Sequence, residues 1–254
     1  SATSAFRGSV VVTVVDDTGV VATVCLPTYN EHESLERMVR TLVELGVRVL
    51  VIDDNSPDGT GKIADRLTEE LEPVSVLHRP RKQGLGPAYL DGFRSALAEG
   101  ADLVLEMDCD FSHDPADVLR LIEAAAEADL VLGSRYVTGG RVGNWGPLRR
   151  FISRGGSLYA QVILGLPIRD LTGGFKCYRR AVLEALPLDE IHSKGYAFQI
   201  EGTYRTIRKG FRVREIPITF VDRIEGGSKM SNAIVLEGVW KVPALRLAAL
   251  RGRL

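Results

Sequence analysis

The stretch DLVLEMDCDFSHDP, residues 102–115, combines an apolar run, an acidic turn and a helix start. Its apolar first half predicts a buried strand, and Asp114 followed by Pro115 is typical of the start of a helix. Between them, at the end of the strand, stand Asp108 and Asp110. A strand that enters a helix through an acidic turn indicates an α/β fold with its chemistry at the carboxyl end of the sheet.

The same alternation of strand and helix runs through residues 21–134. Strands are predicted at 21–26, 47–52, 74–77, 102–107 and 129–133, and helices at 60–71 and 86–100. Asn30 and Glu33 have the spacing of an N-cap and its capping box, which predicts another helix start at Asn30. Short connections between such elements favour a mostly parallel sheet with helices on both faces.

After residue 134 the alternation fades. Helices are predicted at 149–166, 196–209 and 233–250, and a strand or strand pair at 211–220. Pro243 interrupts the last helix, and its polar residues do not form one clean face. This helix therefore either lies at a membrane interface or packs on the core.

Composition limits the class of protein. The 254 residues, 45% of them hydrophobic and 26% charged, are typical of one soluble globular domain, or at most two. The three cysteines, Cys25, Cys109 and Cys177, are far apart and form no C-x-x-C pair, which excludes a disulfide framework and favours a cytoplasmic compartment. The four histidines do not cluster with them, which argues against a zinc site. No apolar stretch reaches the length of a transmembrane helix.

The net charge of −1 is a cancellation between two halves of the chain. Residues 1–134 hold 11 Lys and Arg against 24 Asp and Glu, a net charge of −13. Residues 135–254 hold 21 against 9, a net charge of +12. Such asymmetry indicates that the two halves meet different chemical groups.

The turns after the first, second and fourth strands supply the candidate site residues. Asp108 and Asp110 are two apart, so their carboxylates can share a ligand, and a set without His or Cys favours Mg²⁺ or Mn²⁺. Tyr29 could stack on a base, Glu31 could accept from a ring N–H, and one of Asp53 and Asp54 could bind a ribose. The alternative for each is a solvated turn or a helix cap.

Other motifs narrow the choice of ligand. Gly84 and Gly86 are not followed by the third glycine of a dinucleotide fingerprint, and a Walker A motif and a G-x-S-x-G elbow are both missing. The Gly-rich loop with Arg223 and Lys229 could close over phosphates, although a solvated surface loop is the alternative. Nucleic acid is not expected as a partner, because aromatic and basic residues do not interleave.

Taken together, these segments resemble the dolichol-phosphate (polyprenol monophosphate) mannose synthases of glycosyltransferase family 2. The resemblance rests on LPTYNE (26–31), VIDDNSPDGT (51–60), GLGPAYLDGF (84–93), MDCDFSHDP (107–115), GSRY (133–136), ISRGGS (152–157), DLTGGFKCYRR (170–180), KGYAFQIE (194–201) and IPITFVDRIEGGSK (216–229). It implies a GT-A-type, nucleotide-binding, mostly parallel sheet flanked by helices, with C-terminal interface helices. It also divides the chain into a leader, linker or extra hairpin (1–20), a catalytic domain (21–230) and a C-terminal helix (231–254).

The resemblance implies an inverting mannosyltransferase that uses GDP-mannose and Mg²⁺ or Mn²⁺. Asp108 and Asp110 would bind the metal, and Ser112 stands where related enzymes can have a glutamine ligand. The implied donor-binding residues are Pro27, Tyr29, Glu31, Ile52, Asp54, Asp108, Cys109, Asp110, Arg135, Arg223 and Lys229. Of these, Asp110 and Arg135, together with Arg154, would be catalytic.

The acceptor implied by the resemblance is a polyprenyl monophosphate, whose phosphate would face Arg154 and the loop 139–150. The enzyme would then be peripheral at the cytoplasmic face of the membrane. Some actinobacterial relatives are joined to, or assisted by, a separate membrane domain. Transfer of another sugar, such as glucose from UDP-glucose, to the same lipid phosphate is the alternative reaction. A catalytically silent binding module and a nucleotidyltransferase are alternatives of other classes.

Overall fold

The computed structural model of the chain describes residues 19–143, 145–193, 195–221, 232–252 and 254, without the side chains of 147, 148 and 232–236. The strands are β1 (Ala22–Thr28), β2 (Arg48–Asp53), β3 (Val74–His78), β4 (Leu103–Glu106), β5 (Leu130–Ser134), β6 (Arg141–Gly143), β7 (Lys176–Arg179), β8 (Val213–Pro217) and β9 (Thr219–Val221). The α-helices are α1 (Leu35–Glu44), α2 (Thr60–Glu70), α3 (Leu85–Ala98), α4 (Asp117–Ala124), α5 (Pro147–Leu164), α6 (Arg180–Ala185), α7 (Gly195–Arg208) and α8 (Asn232–Leu250). A short 3₁₀ helix spans Leu188–Glu190.

Within these residues, seven strands form one sheet in the order β3-β2-β1-β4-β7-β5-β8. The pairs β1–β2, β1–β4, β2–β3 and β5–β8 are parallel, whereas β7 runs antiparallel between β4 and β5. Strands β6 and β9 form a separate parallel pair. The predicted mostly parallel sheet with flanking helices is confirmed.

Two apolar cores cover the two faces of the sheet. Side chains alternate along each strand, so that Cys25 contributes to one core and its neighbours Val24 and Leu26 to the other. Helices α1, α2 and α4 cover the face that contains Val24, and helices α3, α5, α6, α7 and α8 cover the opposite face. Both faces are buried, which explains why the strands read as nearly continuous apolar runs.

The predicted elements agree with the structure to within two residues at each end, except at two helix starts. Helix α1 begins at Leu35 after Ser34, so the prediction that Asn30 caps it is wrong. Asn30 instead adopts a left-handed backbone with φ of 59° and turns the chain before the helix. Asp114 accepts a hydrogen bond from the Ala116 N–H at 3.0 Å, but the helix that follows begins at Asp117, and Ala116 is its N-cap residue in place of Asp114.

The C-terminal helix α8 is apolar on two sides. Val242, Leu245 and Ala249 are buried against the core, whereas Trp240 and Leu250 are 74% and 70% exposed. The sequence shows no clean polar face because both sides of this helix contain apolar residues. Among the described residues, every helix falls short of the length or apolarity needed to cross a bilayer.

Candidate active site

The three acidic turns meet at the carboxyl ends of β1, β2 and β4. Strand β1 has β2 on one side and β4 on the other. Strands β2 and β3 are added on one side of β1, and β4 is then added on the opposite side, so the strand order reverses at β1. Ligands of open α/β sheets bind in the crevice that such a reversal opens. The structure therefore brings the predicted donor-side residues of the first half of the chain to one edge of the sheet.

Asp108 and Asp110 are half-buried beyond the end of β4, and Cys109 between them is 2% exposed. Cys109 belongs to the core on the α1 side, so the residue between the two carboxylates points into the protein. Burial raises the pKa of the Cys109 thiol, which keeps it protonated and unreactive. The Ser112 N–H donates to Asp110 Oδ1 at 3.0 Å and fixes that carboxylate.

The backbone around the site is turned by three residues in the left-handed region. Asn30, Asn55 and Phe111, with φ of 59°, 58° and 57°, follow β1, β2 and β4 respectively. This conformation is costly for a residue with a large side chain, and such strain concentrates at functional sites. Phe111 is the most unusual of the three, and the Arg37 guanidinium lies 4.1 Å from the centre of its ring.

The turn after β1 contacts the loop that contains the two aspartates. Ser34 Oγ donates to Glu31 Oε2 at 3.2 Å and lies 3.9 Å from Cys109 Sγ. Tyr29 is half-buried, and Lys82 Nζ lies 3.8 Å from the centre of its ring. Pro27, also half-buried, is paired in register with Ile52. These contacts hold Tyr29 and Glu31 in the turn after β1, and their role in donor binding stays a prediction.

Asp54 is buried and bound by Arg79, a residue that the sequence did not single out. Arg79 Nη1 contacts Asp54 Oδ1, while its Nε donates to Asp91 Oδ2 at 2.8 Å and its Nη2 to Gln83 Oε1 at 2.9 Å. Burial raises the pKa of Asp54, and Arg79 opposes that rise by stabilising the carboxylate. Its position directly after β3, at the same edge of the sheet as the other turns, is the feature of the sequence that could have identified Arg79.

The side chain of Ile52, like that of Cys109, is buried in the core. It belongs to the core on the α3 side, where a Cβ added at Gly92 would lie 2.3 Å from its Cδ1. The contact accounts for the glycine at position 92. Ile52 therefore supports the site from within the core, and a direct contact of its side chain with a donor stays a prediction.

Arg135, predicted to contact phosphate, is buried in an ion pair. Its Nε donates to Asp170 Oδ2 and its Nη2 to Asp170 Oδ1, both at 2.7 Å. Nη2 also donates to Thr172 Oγ1 at 2.9 Å. Burial alone would lower the pKa of Arg135, but Asp170 raises it above its usual value. The rings of Tyr136, Trp145 and Phe220 lie within 5.6 Å of the guanidinium. Arg135 thus anchors an aromatic cluster, and its contact with phosphate stays a prediction.

An apolar cavity of about 290 Å³ lies where α5, α7 and α8 meet. Its lining includes Trp145, Arg149, Ser153, Tyr159, Ile200 and Val242. The Arg149 guanidinium stacks over the Trp145 ring at 4.5 Å, and Ser153 Oγ accepts a hydrogen bond from the Tyr136 hydroxyl at 2.7 Å. The cavity also reaches Thr172, so it adjoins the Arg135–Asp170 pair.

Arg154, the predicted acceptor residue, lies elsewhere on α5. It is exposed and is not part of the cavity lining, whereas Arg149 and Ser153 are. Arg149 and Ser153 are four residues apart and share one face of the helix, which was the signal in the sequence. Arg223 and Lys229, predicted to close over a diphosphate, lie outside the described residues.

The donor set at Asp108 and Asp110 suits a hard cation. Both side chains offer carboxylate oxygens, the ligands that Mg²⁺ and Mn²⁺ prefer. Among the described residues, no group of three or more His, Cys, Asp or Glu side chains converges on one point. Two carboxylates fit a metal that takes its other ligands from phosphates and water. Ser112, at the position of a potential third ligand, is 2% exposed.

Comparisons with known proteins agree with this geometry. Residues 23–186 match the protein family described as Glycosyl transferase family 2. The undecaprenyl-phosphate mannosyltransferase of Micrococcus luteus is 51% identical over 90% of this chain and 97% of its own length. The polyprenol monophosphomannose synthase of Mycolicibacterium smegmatis is 46% identical over 91% of this chain and 88% of its own length.

Two solved structures share the fold at low sequence identity. Glucosyl-3-phosphoglycerate synthase from Mycobacterium tuberculosis, in complex with Mn²⁺, UDP-glucose and phosphoglyceric acid, is 18% identical with a TM-score of 0.68, over 91% of this chain and 81% of that one. A mannosyltransferase from Pyrobaculum calidifontis, in complex with GDP-mannose and Mn²⁺, is 16% identical with a TM-score of 0.55, over 91% and 74%. The chain therefore belongs to glycosyltransferase family 2 and is a glycosyltransferase with a GT-A fold.

Proposed function

We propose that this enzyme transfers mannose from GDP-mannose to the phosphate of a polyprenyl (dolichyl-type) monophosphate, with inversion at the sugar carbon and with Mg²⁺ or Mn²⁺. The observation that carries the proposal is the cavity between α5, α7 and α8, which is apolar but has Arg149 among its lining residues. An isoprenoid chain needs an apolar surface, and its phosphate needs a cation. The names of the two relatives that are about half identical agree with this assignment.

The donor end is proposed at the turns after β1, β2 and β4. Tyr29 and Glu31 would bind the base, and Asp54, held by Arg79, would accept from base or ribose. Asp108 and Asp110 would hold the metal, which when bound offsets the negative charge of the diphosphate. Arg223 and Lys229 would add positive charge over the same group. Structural neighbours that were solved in complex with Mn²⁺ or Mg²⁺ support a divalent ion.

The chemistry asks the protein for position and charge more than for proton transfer. The bond from the sugar carbon to the diphosphate oxygen breaks, and one from the same carbon to a lipid phosphate oxygen forms. The attacking oxygen is already anionic near neutral pH, so no general base is needed. GDP departs with the electron pair of the broken bond. The donor diphosphate and the acceptor phosphate must be held close together. Arg223, proposed at the diphosphate, and Arg149, proposed at the acceptor phosphate, would offset the repulsion between them.

The decisive test is an assay of the purified chain with GDP-mannose, a polyprenyl monophosphate and either Mg²⁺ or Mn²⁺. We expect mannose in the organic phase only when all three components are present. A parallel reaction with UDP-glucose tests the alternative donor, and faster transfer of glucose would overturn the assignment of mannose. Lipid product formed equally well in the presence of a chelator would overturn the metal assignment.

A matched pair of variants tests the site itself. Asp110→Asn removes one proposed metal ligand while keeping the size of the side chain, and we expect transfer to fall by at least about a hundredfold. Asp114→Asn neutralises an exposed carboxylate four residues away and keeps a side-chain oxygen for the Ala116 N–H. Its activity should stay near that of the wild type. A folded, fully active Asp110→Asn enzyme would refute the role of Asp110.

Membrane contact is part of the same proposal. The enzyme would work as a peripheral protein at the cytoplasmic face, where its lipid acceptor lies. The exposed apolar side chains of α5 and α8, Phe151, Leu158, Val162, Trp240, Leu247 and Leu250, support such contact. A fused or separate membrane domain could serve as a further partner.

A further inference from the structure

Trp145 is buried at the cavity, in contact with the arginine that the proposed function places at the acceptor phosphate. It precedes helix α5, is 8% exposed and belongs to the cavity lining together with Arg149. The Arg149 guanidinium lies over its ring, 4.5 Å from the ring centre. The Phe220 ring meets the indole at 5.4 Å, with the two planes 72° apart. The indole is therefore packed against Phe220, and Arg149 rests on it.

Arg149 occupies a position at which a helix disfavours a cation. It is the third residue of α5, and the first turn of this helix contains no acidic side chain. The dipole of a helix places partial positive charge at this end, which repels the guanidinium. The electron-rich face of an aromatic ring attracts a cation, and tryptophan does so more strongly than tyrosine or phenylalanine. The stack on Trp145 therefore stabilises Arg149 where the helix alone would not.

The indole N–H of Trp145 indicates that the ring, and not a hydrogen bond, is what this residue contributes. The N–H is buried and makes no hydrogen bond within the part of the chain that the structure describes. An unpaired buried donor destabilises a fold, and phenylalanine at the same place would not have one. With its N–H unused, tryptophan still exceeds phenylalanine in apolar surface and in attraction for a cation. The second of these properties acts on Arg149.

Two guanidinium groups lie near the Trp145 ring, and only one of them lines the cavity. The Arg135 guanidinium, 5.5 Å from the ring centre, is bound by both carboxylate oxygens of Asp170. Arg149 borders the cavity, whereas Arg135 does not. The charge of Arg149 can therefore meet an anion that enters the cavity, and the Trp145 ring determines where that charge lies.

We propose that Trp145 is a positioning residue that holds the Arg149 guanidinium at the cavity wall, in the orientation in which it binds the phosphate of the lipid acceptor. The inference rests on the proposed function, because it takes Arg149 to bind that phosphate. A guanidinium stacked on a ring keeps the N–H groups at its edge available, and these are the groups that pair with phosphate oxygens. An arginine that is held in place before the ligand arrives also loses less conformational entropy on binding.

A purely structural role of Trp145 is the competing explanation, and it predicts different kinetics. A loss of packing would lower the thermal stability and would affect the KM values of both substrates. A loss of positioning would raise the KM for the lipid acceptor alone, and only in an enzyme that contains Arg149.

The test is a double-mutant cycle of Trp145→Leu and Arg149→Ala, assayed with GDP-mannose and a polyprenyl monophosphate, each varied in turn. We expect the KM for the lipid to rise at least about tenfold in Arg149→Ala and about fivefold in Trp145→Leu. The double variant should match Arg149→Ala, because the missing ring has no arginine to hold, whereas independent effects would multiply to about fiftyfold. Trp145→Phe keeps an aromatic face and should raise this KM only about twofold. The KM for GDP-mannose should stay within about twofold of the wild type throughout.

Multiplied effects in the double variant, or equal losses in Trp145→Phe and Trp145→Leu, would overturn the inference. A rise in the KM for GDP-mannose as large as that for the lipid would overturn it as well. If thermal unfolding shows that Trp145→Leu does not fold, the cycle is run with Trp145→Phe, whose effect should vanish in the Arg149→Ala background. A wild type that forms no mannosylated lipid refutes the proposed function and the inference with it. An active wild type with an unaffected Arg149→Ala variant refutes the inference alone.

Discussion

Arg149 and Arg154 stand five positions apart on α5, and the fold gives them different surroundings. Arg149 is half-buried, stacks on Trp145 and lines the apolar cavity, whereas Arg154 is exposed. An arginine at the wall of an apolar cavity acts in a lower effective dielectric than one in water, so its attraction for a phosphate is stronger. The acceptor residue proposed from the structure is therefore Arg149, in the place of Arg154.

We expect Arg149→Ala to raise the KM for polyprenyl phosphate by about tenfold or more, and to change the KM for GDP-mannose much less. Arg154→Ala, on the same helix, is the matched control and should change neither value by more than about twofold. Steady-state kinetics with each substrate varied in turn measures both effects. Equal effects of the two substitutions, or a larger effect of Arg154→Ala, would contradict the assignment.

His113 is a second residue whose surroundings predict a measurable effect, here on stability. It is buried between the rings of Phe175 and Phe220, with Asp110, Arg135 and Asp170 as the charged groups that act on it. Burial lowers the pKa of His113 from 6.5 to about 4. Between about pH 4 and pH 6.5 His113 is protonated in the unfolded chain and neutral in the folded protein. The free energy of unfolding therefore decreases as the pH falls below about 6.5.

We expect His113 to account for a loss of about 2 kcal/mol of unfolding free energy as the pH falls from about 7.5 to about 5. Urea unfolding at several pH values measures it. His113→Phe keeps an aromatic ring in the pocket and should lose about 2 kcal/mol less over that range, whereas His192→Gln, at an exposed position, should behave as the wild type. Parallel pH curves for wild type and His113→Phe would refute the explanation.

Among the elements, the contact between β4 and β7 brings two buried residues of opposite charge into neighbouring positions. Glu106 and Lys176 are opposite each other in the antiparallel register, and both are fully buried. Lys176 Nζ donates to the Gln199 carbonyl at 2.7 Å and to Thr203 Oγ1 at 3.1 Å. Burial raises the pKa of Glu106 and lowers that of Lys176 to about 8, although each charge stabilises the other.

Removing one partner of this pair should cost more than removing both. Lys176→Met leaves a buried carboxylate without its counter-charge and should reduce the unfolding free energy by about 3–5 kcal/mol. Adding Glu106→Met should restore much of that loss, since two apolar side chains of similar volume replace the pair. Denaturant unfolding of the two single variants and the double variant measures the coupling. Additive losses in the double variant would show that the pair is not coupled.

The elements that were predictable from sequence are those with a clear apolar pattern. Strands β1 to β5 were visible as short apolar runs because both faces of the sheet are buried, helices α2, α3, α5 and α7 by an apolar face, and α8 by its long apolar stretch. Strand β7 was not predicted, since its four residues include Lys176 and Arg179, whose burial depends on partners far away in sequence. The cavity was not predictable either, because it is enclosed by helices from three separate segments.

Across the whole molecule, the acidic and the basic half of the chain form different parts of the structure. The acidic half builds the strands β1 to β5 and the turns with Asp54, Asp108 and Asp110. The basic half supplies α5 and α8, whose exposed apolar residues are accompanied by Arg150, Arg154 and Arg251. A surface of apolar side chains among arginines matches a bilayer with anionic headgroups, which attract cations and accept apolar groups.

We therefore expect the chain to bind vesicles of phosphatidylcholine and phosphatidylglycerol, and to bind pure phosphatidylcholine much more weakly. Trp240→Ser removes the most exposed large apolar side chain of α8 and should weaken vesicle binding by about tenfold, the effect of withdrawing one such side chain from an apolar phase. Leu119→Ser, at an exposed apolar position on α4 across the sheet, is the matched control and should bind like the wild type. Co-sedimentation at increasing salt separates the electrostatic from the apolar contribution to vesicle binding, because added salt screens the arginines and leaves the apolar contribution in place. Equal binding by the Trp240 and Leu119 variants would show that α8 is not part of the membrane contact. Equal binding to charged and uncharged vesicles would show that the arginines do not contribute to it.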